Sequence, residues 1–173
     1  MVQGFAPGEE CAACKGRCCR ERGCCLSPED LFQTIAEDMF SREELLQLLQ
    51  KEDNLYAIDV ANGCREEFYF LRMRHKFQTF VGVDVIGECV ALSDSGCVLP
   101  MDKRPKGGRF LKSSPDFHCV QEYTKEEMEA DWQAYQAILK DIYVEYEKRF
   151  SEDGTFERCE KQLYVYLKNR KHL

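Results

Sequence analysis

A dense run of cysteines near the N-terminus constrains this chain more than any other feature. Six of the eleven cysteines lie between Cys11 and Cys25, and the first four have the spacing CxxCxxxCC. The segment is rich in Gly, Arg and Lys and poor in large apolar residues, so hydrophobic burial cannot order it. Ligands that share one cation fix the backbone between them. We therefore expect this segment to fold around a metal.

A disulfide framework is the main alternative use of so many cysteines. The N-terminus has neither the basic start nor the apolar stretch of a signal peptide, so we expect a cytoplasmic protein with reduced thiols. Eleven is odd, and neighbouring cysteines such as Cys18 and Cys19 rarely satisfy disulfide geometry with each other. Reduced thiols this dense on a surface would oxidise. Metal ligation is favoured over both alternatives.

The candidate metal ligands extend beyond the first motif. A CxxC turn places two sulfurs where both can lie about 2.3 Å from one zinc ion or ligate one iron–sulfur cluster. Such a turn supplies half of a four-thiolate shell, so other cysteines must complete it. The candidates are Cys11, Cys14, Cys18, Cys19, Cys89, Cys97, Cys119, Cys24 and Cys25. Their number favours more than one metal, or one cluster with spare thiols.

Some of these residues have a structural alternative. Cys89, Cys97 and Cys119 also suit buried small hydrophobic positions, and Cys24 and Cys25 suit either ligands or supports of the loop. Cys64 and Cys159 are predicted to be structural, and His118 to support a ligand or remain solvated. These last three are therefore left outside the predicted ligand set.

The pattern resembles the YkgJ-like CxxCxxxCC proteins, which are described as zinc- or iron-chelating. Beyond the first motif, the shared features are Cys89, Gly96-Cys97, Arg104-Pro105 and Phe117-x-Cys119, so the resemblance spans about residues 11 to 119. The family usually carries a further Cys after Arg-Pro, where this chain has Lys106-Gly107-Gly108-Arg109, and Cys24 and Cys25 are additional here. Flagellin lysine methylases contain a similar cluster and are thought to hold an iron–sulfur centre. The resemblance implies a metal site and keeps both metals open.

Local signals predict an α+β fold: a mainly helical single domain with a small antiparallel sheet and a cysteine-rich N-terminal loop. Ser27-Pro28-Glu29-Asp30 starts a helix with Leu31, Ile35 and Met39 as its buried stripe, and Ser41 to Glu44 is a capping box. Alternating β-branched and aromatic residues predict about three strands from Leu55 to Leu92, with a turn at Asn62-Gly63. Within a domain of residues 1–173, the predicted segments are 11–25 (metal loop), 54–92 (sheet), 96–119 (ligand loop) and 124–170 (C-terminal helices).

The second half of the chain has fewer cysteines and stronger helix signals. Residues 96 to 118 contain three of the five prolines and read as an ordered loop rather than helix or strand. A capping box at Thr124 opens a long helix to about Phe150, whose core face is Met128, Trp132, Tyr135, Leu139, Ile142, Tyr143 and Tyr146. The last predicted helix runs from Phe156 to Lys168, with Cys159, Leu163 and Tyr166 on its inner side.

Composition and motifs limit the function classes. A net charge of −7 disfavours nucleic acid as a partner, and the apolar runs are too short to span a membrane. The sequence has no phosphate-binding glycine loop, no GxSxG elbow, no HExxH motif and no histidine spaced to activate a cysteine, so binding is favoured over catalysis. No motif identifies a protein partner.

Our leading hypothesis is a metal-binding protein that holds zinc, or alternatively a 4Fe-4S cluster. Zinc is favoured because the sequence has no visible redox-partner motif or substrate pocket. The alternatives are an iron–sulfur redox protein or accessory protein of an enzyme system, and a metal carrier. Arg104 is either a surface side chain or a cation that balances the negative charge of the thiolates.

Overall fold

The structure is a computed structural model that describes residues 16, 19–20, 23–32, 39–62, 66–82, 87–94, 96–112, 114 and 119–170. The helices described in full are α1 (Glu29–Phe32), α2 (Arg42–Leu49), α3 (Lys106–Arg109), α4 (Lys125–Trp132), α5 (Gln136–Glu152) and α6 (Thr155–Arg170). The strands are β1 (Tyr56–Asn62), β2 (Glu67–Met73), β3 (Leu92–Ser93), β4 (Gly96–Cys97), β5 (Leu111–Lys112) and β6 (Val120–Gln121). The predicted α+β fold class is confirmed.

Both predicted capping boxes are present. The hydroxyl of Ser41 accepts from the N–H of Glu44 at 3.3 Å, and the Glu44 carboxylate accepts from the N–H of Ser41 at 2.8 Å. Thr124 and Glu127 repeat this reciprocal pair at the start of α4. Each box satisfies backbone donors that would otherwise lack partners in the first turn. Local chemistry therefore sets where α2 and α4 begin.

The helical core face is confirmed, but the long helix is interrupted. All seven predicted core residues from Met128 to Tyr146 are buried. A 3₁₀ turn at Gln133–Tyr135 separates α4 from α5. At this break the side chain of Gln136 accepts from the N–H of Tyr69 at 2.9 Å and donates to the carbonyl of Tyr69 at 2.7 Å. The helical body is thereby joined to β2.

The predicted sheet of about three strands is a two-stranded sheet in the described residues. Within the described residues, β1 pairs antiparallel with β2, and separate two-stranded sheets join β3 to β4 and β5 to β6. Val81 contributes one parallel bridge to Ile58 instead of a full third strand. The predicted positions Val83 and Val85 lie outside the described residues. Alternation along the sequence identifies strands but does not specify which strands pair.

Two further predictions are corrected. Leu31 is fully buried, but Met39 is 57% exposed and does not continue its stripe; Ile35 lies outside the described residues. Residues 96–118 are not only loop, since they include β4, α3 and β5. The Asp30 carboxylate accepts from the N–H of Lys106 at 2.8 Å and so satisfies the start of α3 from a distant segment. This long-range cap cannot be seen in the local sequence.

The C-terminal helix lies close to its predicted position. Cys159, Leu163 and Tyr166 are half-buried, as expected for its inner side. No residue of α6 is fully buried, so this helix packs through half-buried side chains. None of the described helices has the length and apolar character needed to cross a membrane.

A cysteine cluster as the candidate functional site

The loop that carries Cys24 and Cys25 lies along β2. The N–H of Leu26 donates to the carbonyl of Leu71 at 2.9 Å, and the N–H of Met73 donates to the carbonyl of Cys24 at 2.9 Å. Cys25 forms an antiparallel bridge with Arg72 between these bonds. The loop therefore behaves as a short extra strand, and backbone hydrogen bonds fix the positions of both cysteines.

Gly23 permits the close approach of this loop to β2. A Cβ at position 23 would overlap the carbonyl oxygen of Met73. The N–H of Gly23 donates to Nε2 of His75 at 3.1 Å. Only a residue without a side chain fits this backbone contact.

His75 is a buried histidine that connects the cysteine segments. Its side chain is 1% exposed, and burial followed by the charge of Arg72 lowers its pKa to about 4. The imidazole is therefore neutral, and because Nε2 accepts a hydrogen bond the proton lies on Nδ1. Nε2 is used by Gly23 and is not available as a metal ligand.

The other ring nitrogen of His75 faces Gln78. His75 Nδ1 and Gln78 Oε1 are both buried, and neither makes a hydrogen bond of ordinary geometry within the described residues. The two side chains are still close enough for Gln78 to act toward a higher imidazole pKa. Among the described residues, the hydrogen bond of ordinary geometry to this ring is therefore the one from Gly23.

Cys89 lies opposite His75 and is joined to the first cysteine segment. The two residues form an antiparallel bridge, and the N–H of Cys89 donates to the carbonyl of Cys19 at 2.8 Å. The side chain of Cys89 is 4% exposed. Burial raises the pKa of its thiol, and the Cys97 thiol acts in the same direction. Cys19, Cys89 and Cys97 thus belong to one neighbourhood.

Cys24 lies at the centre of this neighbourhood. Burial raises the pKa of the Cys24 thiol well above its ordinary value, followed by the effects of Cys89, Cys25 and Cys97. Cys97 reaches the cluster because β4 pairs with β3, where it lies opposite Leu92. Cys24, Cys89 and Cys97 are therefore mutually within electrostatic range, although three separate elements carry them.

A glycine leaves space beside the Cys24 sulfur. A Cβ on Gly108 would lie 3.2 Å from Cys24 Sγ and 3.4 Å from Cβ of Arg104. The neighbouring Gly107 donates its N–H to the carbonyl of Cys25 at 3.0 Å. The start of α3 is thus held against the cysteine loop, with open space at the sulfur.

Cationic side chains surround the thiols. Arg104 flanks the same glycine as Cys24 and donates from Nε to the carbonyl of Leu99 at 3.0 Å, so this bond goes to a backbone oxygen rather than to sulfur. Lys76 and Arg72 both act to lower the pKa of Cys89. Positive charge near clustered thiols stabilises their deprotonated form.

The described residues include only part of the predicted ligand set. Cys11, Cys14 and Cys18 lie outside them, as do Cys64 and His118. Cys119 is half-buried just before β6, and it is not among the groups that shift the pKa of Cys24 or Cys89 most. Cys159 is half-buried on α6, where the pKa of its thiol responds to burial, Arg158 and Arg74 rather than to another cysteine.

The spacing of the sulfurs differs from that of a formed metal site. Within the described residues, no group of three or more Cys, His, Asp or Glu side chains has the geometry to hold one ion. Electrostatic effects extend over longer distances than metal coordination. Neighbouring thiols can therefore raise the pKa of Cys24 and of Cys89 without forming a coordination group. A set of thiols with few competing oxygen or nitrogen donors has the softness that zinc and iron–sulfur clusters prefer. The donor chemistry fits such a metal, while the described side chains do not form a complete coordination group.

Comparison with known proteins adds no relative. No family model, curated protein or solved structure matches this chain.

Sequence reasoning missed His75 and Gly108. His75 carries no motif, because its role depends on contacts with Gly23 and Cys89 that are distant in sequence. Gly107-Gly108 was visible as a loop signal, but its position beside Cys24 was not. The glycine pair that follows Arg104-Pro105-Lys106, near the place where YkgJ-like proteins usually carry a cysteine, is the one signal that could have drawn attention to this position.

Proposed function

We propose that this protein is a cytoplasmic metal-binding protein that holds zinc through clustered cysteine thiolates. The observation that carries the proposal is the proximity of Cys24, Cys89 and Cys97, which lie on three separate elements: the pKa of Cys24 is raised in part by Cys89 and Cys97, and that of Cys89 in part by Cys97. Buried cysteines are common, but three from distant segments in one neighbourhood are expected when a cation joins them. The resemblance to the YkgJ-like proteins is part of this proposal.

The local charges support a thiolate site. Four thiolates around Zn²⁺ leave a net charge of about −2, which needs nearby cations or hydrogen-bond donors. Lys76 and Arg72 act on Cys89, and Arg104 lies beside Cys24. The net charge of −7 makes nucleic acid an unfavourable alternative ligand.

Metal binding requires the sulfurs to approach more closely. With a zinc–sulfur distance of about 2.3 Å, ligands of a tetrahedral site lie about 4 Å from one another. We propose that Cys24, Cys89 and Cys97 provide ligands and that the remaining ligands come from Cys11, Cys14, Cys18 or Cys19. Gly108 has no side chain beside Cys24 Sγ, so none obstructs the sulfur on that side.

Elemental analysis of protein purified without oxygen tests the proposal. Colourless protein with stoichiometric zinc supports it. Brown protein with stoichiometric iron and sulfide would replace zinc with an iron–sulfur centre, and protein with no bound metal after reconstitution with either would overturn metal binding. Rapid loss of zinc to a competing chelator would indicate a carrier instead of a closed site.

Single substitutions locate the ligands. Cys24→Ser, Cys89→Ser and Cys97→Ser are each expected to lower zinc content at least severalfold, because serine is a poor zinc ligand. Cys159→Ser is the matched control, since Cys159 is half-buried like Cys24 and Cys97 but lies outside the cluster. Equal zinc content in all four variants would reject the cluster as the site.

A further inference from the structure

A separate cavity lies beside the segment that follows β2. Its volume is about 390 Å³, and it is bounded by the end of α2, the segment from Arg74 to Phe80, and α5. This volume is within the usual range for small-molecule sites. None of the predicted metal ligands lines it. A ligand of this cavity would therefore bind at a place distinct from the proposed metal site.

The inner surface of the cavity is aromatic. The rings of Phe80, Tyr146 and Phe150 pack against one another, with centroid distances of 5.0, 5.3 and 5.5 Å. Phe80 and Tyr146 are buried and Phe150 is half-buried. Rings arranged in this way present both edges and faces to a planar ligand.

The rim of the cavity is cationic in an acidic protein. Lys51, Arg74 and Arg149 line it, and Glu52 is its one acidic lining residue. The net charge of the whole chain is −7, so this rim reverses the overall balance. Such a local concentration of positive charge attracts anions.

Among the described residues, both arginines lack a close carboxylate partner, although the charge of Arg149 contributes to the lowered pKa of Asp153. Within the described part of the chain, neither Arg74 nor Arg149 forms an ion pair. Arg74 donates from Nε to the carbonyl of Asn54 at 3.0 Å and from Nη1 to the carbonyl of Gln78 at 2.8 Å, which fixes its plane. Its Nη2 makes no hydrogen bond to the described residues. Burial lowers the pKa of Arg74, as expected for a desolvated cation without a carboxylate partner.

Arg149 and Tyr146, which both line the cavity, offer two more groups that bind anions. Arg149 lies over the ring of Tyr146, 5.6 Å from its centroid. The Tyr146 hydroxyl accepts from Gln50 Nε2 at 2.8 Å, which leaves its own hydrogen available for donation. The cavity thus combines hydrogen-bond donors, positive charge and an aromatic wall.

We propose that this cavity binds a small aromatic anion, with its phosphate or carboxylate between Arg74 and Arg149 and its ring against Phe80, Tyr146 and Phe150. Guanidinium groups bind such oxyanions through paired, charge-assisted hydrogen bonds. The aromatic wall supplies apolar contact that a free inorganic anion cannot use.

Calorimetric titration of the full chain with phenyl phosphate tests this proposal. We expect saturable one-to-one binding, weaker binding of inorganic phosphate, and no detectable binding of benzyl alcohol, which has the ring without the charge. Benzoate in place of phenyl phosphate determines which oxyanion is preferred. Absence of saturable binding by both aromatic anions would overturn the proposal, and equal binding of inorganic phosphate would overturn its aromatic part.

Arg149→Gln is the decisive variant because Arg149 is exposed and its replacement leaves the core intact. We expect about tenfold weaker binding, the usual loss when one charge-assisted hydrogen bond to a ligand is removed. Arg158→Gln is the matched control, since Arg158 is an exposed arginine that does not line the cavity. Equal affinity of these two variants would reject the assigned anion position.

Discussion

His75 pairs with Cys89 across an antiparallel bridge, while its ring accepts a hydrogen bond from Gly23, the residue before Cys24. His75 therefore connects two cysteine segments that are far apart in the sequence, through its main chain at Cys89 and through its neutral imidazole at Gly23. The connection depends on an acceptor nitrogen and not on charge. This makes His75 a positioning residue for the cluster.

Replacing His75 with Leu should loosen the Cys24 loop. The N–H of Gly23 would lose its acceptor while buried, which costs about 1–3 kcal/mol in the free energy of unfolding. We expect zinc content to fall together with stability, as measured by elemental analysis and urea denaturation. His75→Gln, which carries an acceptor oxygen, should lose less of both. Unchanged stability in His75→Leu would show that the Gly23 contact is unimportant.

Two glycine substitutions should separate folding from metal binding. Gly23→Ala is expected to destabilise the protein by about 1–3 kcal/mol, because its new methyl group overlaps backbone atoms of Met73. Gly108→Ala should leave thermal stability nearly unchanged, since alanine favours helix, yet lower zinc affinity by placing a methyl group 3.2 Å from Cys24 Sγ. If Gly108→Ala binds zinc as the wild type does, the open space at this sulfur has no role.

Glu88 attaches the C-terminal helix beside Cys89. Its carboxylate accepts from Tyr166 at 2.5 Å and from Lys76 at 2.9 Å and pairs with Arg170. Burial alone would raise the pKa of Glu88, but these donors lower it to about 2. The carboxylate is thus strongly held in its ionised form.

We therefore expect Glu88→Gln to release α6. Loss of the charge should lower the local opening free energy of this helix by about 1–3 kcal/mol, measured by amide hydrogen exchange over residues 155–170. Glu157→Gln is the control, because Glu157 is exposed and pairs with Lys161 on the same helix. Identical exchange in the two variants would contradict an anchoring role for Glu88.

Tyr143 should contribute a pH-dependent part of the stability. Its hydroxyl donates to the carbonyl of Gly82 at 2.8 Å, and burial followed by the nearby Glu147 and Asp59 raises its pKa from 10.0 to about 12. A raised pKa means that this contribution is complete below pH 10 and is lost as the pH rises to about 12. Urea denaturation across this range should show a decline that is smaller in Tyr143→Phe. An identical decline in both proteins would show that groups other than Tyr143 cause the loss of stability at high pH.

Local signals in the sequence predicted much of the fold. The capping boxes at Ser41 and Thr124 are formed as expected, since each involves groups within four residues of one another. The buried face of α4 and α5 also follows from helical periodicity. Met39 shows the limit of this reasoning, because its side chain is exposed despite its place in the apolar pattern.

The candidate site was predictable in composition but not in arrangement. The family resemblance favoured Cys89, Cys97 and Cys119 as ligands, and Cys24 was left open between a ligand and a support of the loop; none of this showed which sulfurs lie close together. The structure brings Cys24, Cys89 and Cys97 into one neighbourhood, whereas Cys119 is not among the groups that shift the thiol pKa values of Cys24 and Cys89 most. The arginines of the separate cavity had no signal at all, since Arg74 and Arg149 come together only through packing of α5.

The amino-acid sequence by itself determined where α2 and α4 begin, which faces of the helices are apolar, and which residues offer soft donors to a metal. These properties arise from interactions over a few positions. Only the tertiary structure decided which thiols become neighbours, because that depends on distant hydrogen bonds such as Met73 to Cys24 and Cys89 to Cys19. These bonds form only when elements from different parts of the chain dock against one another.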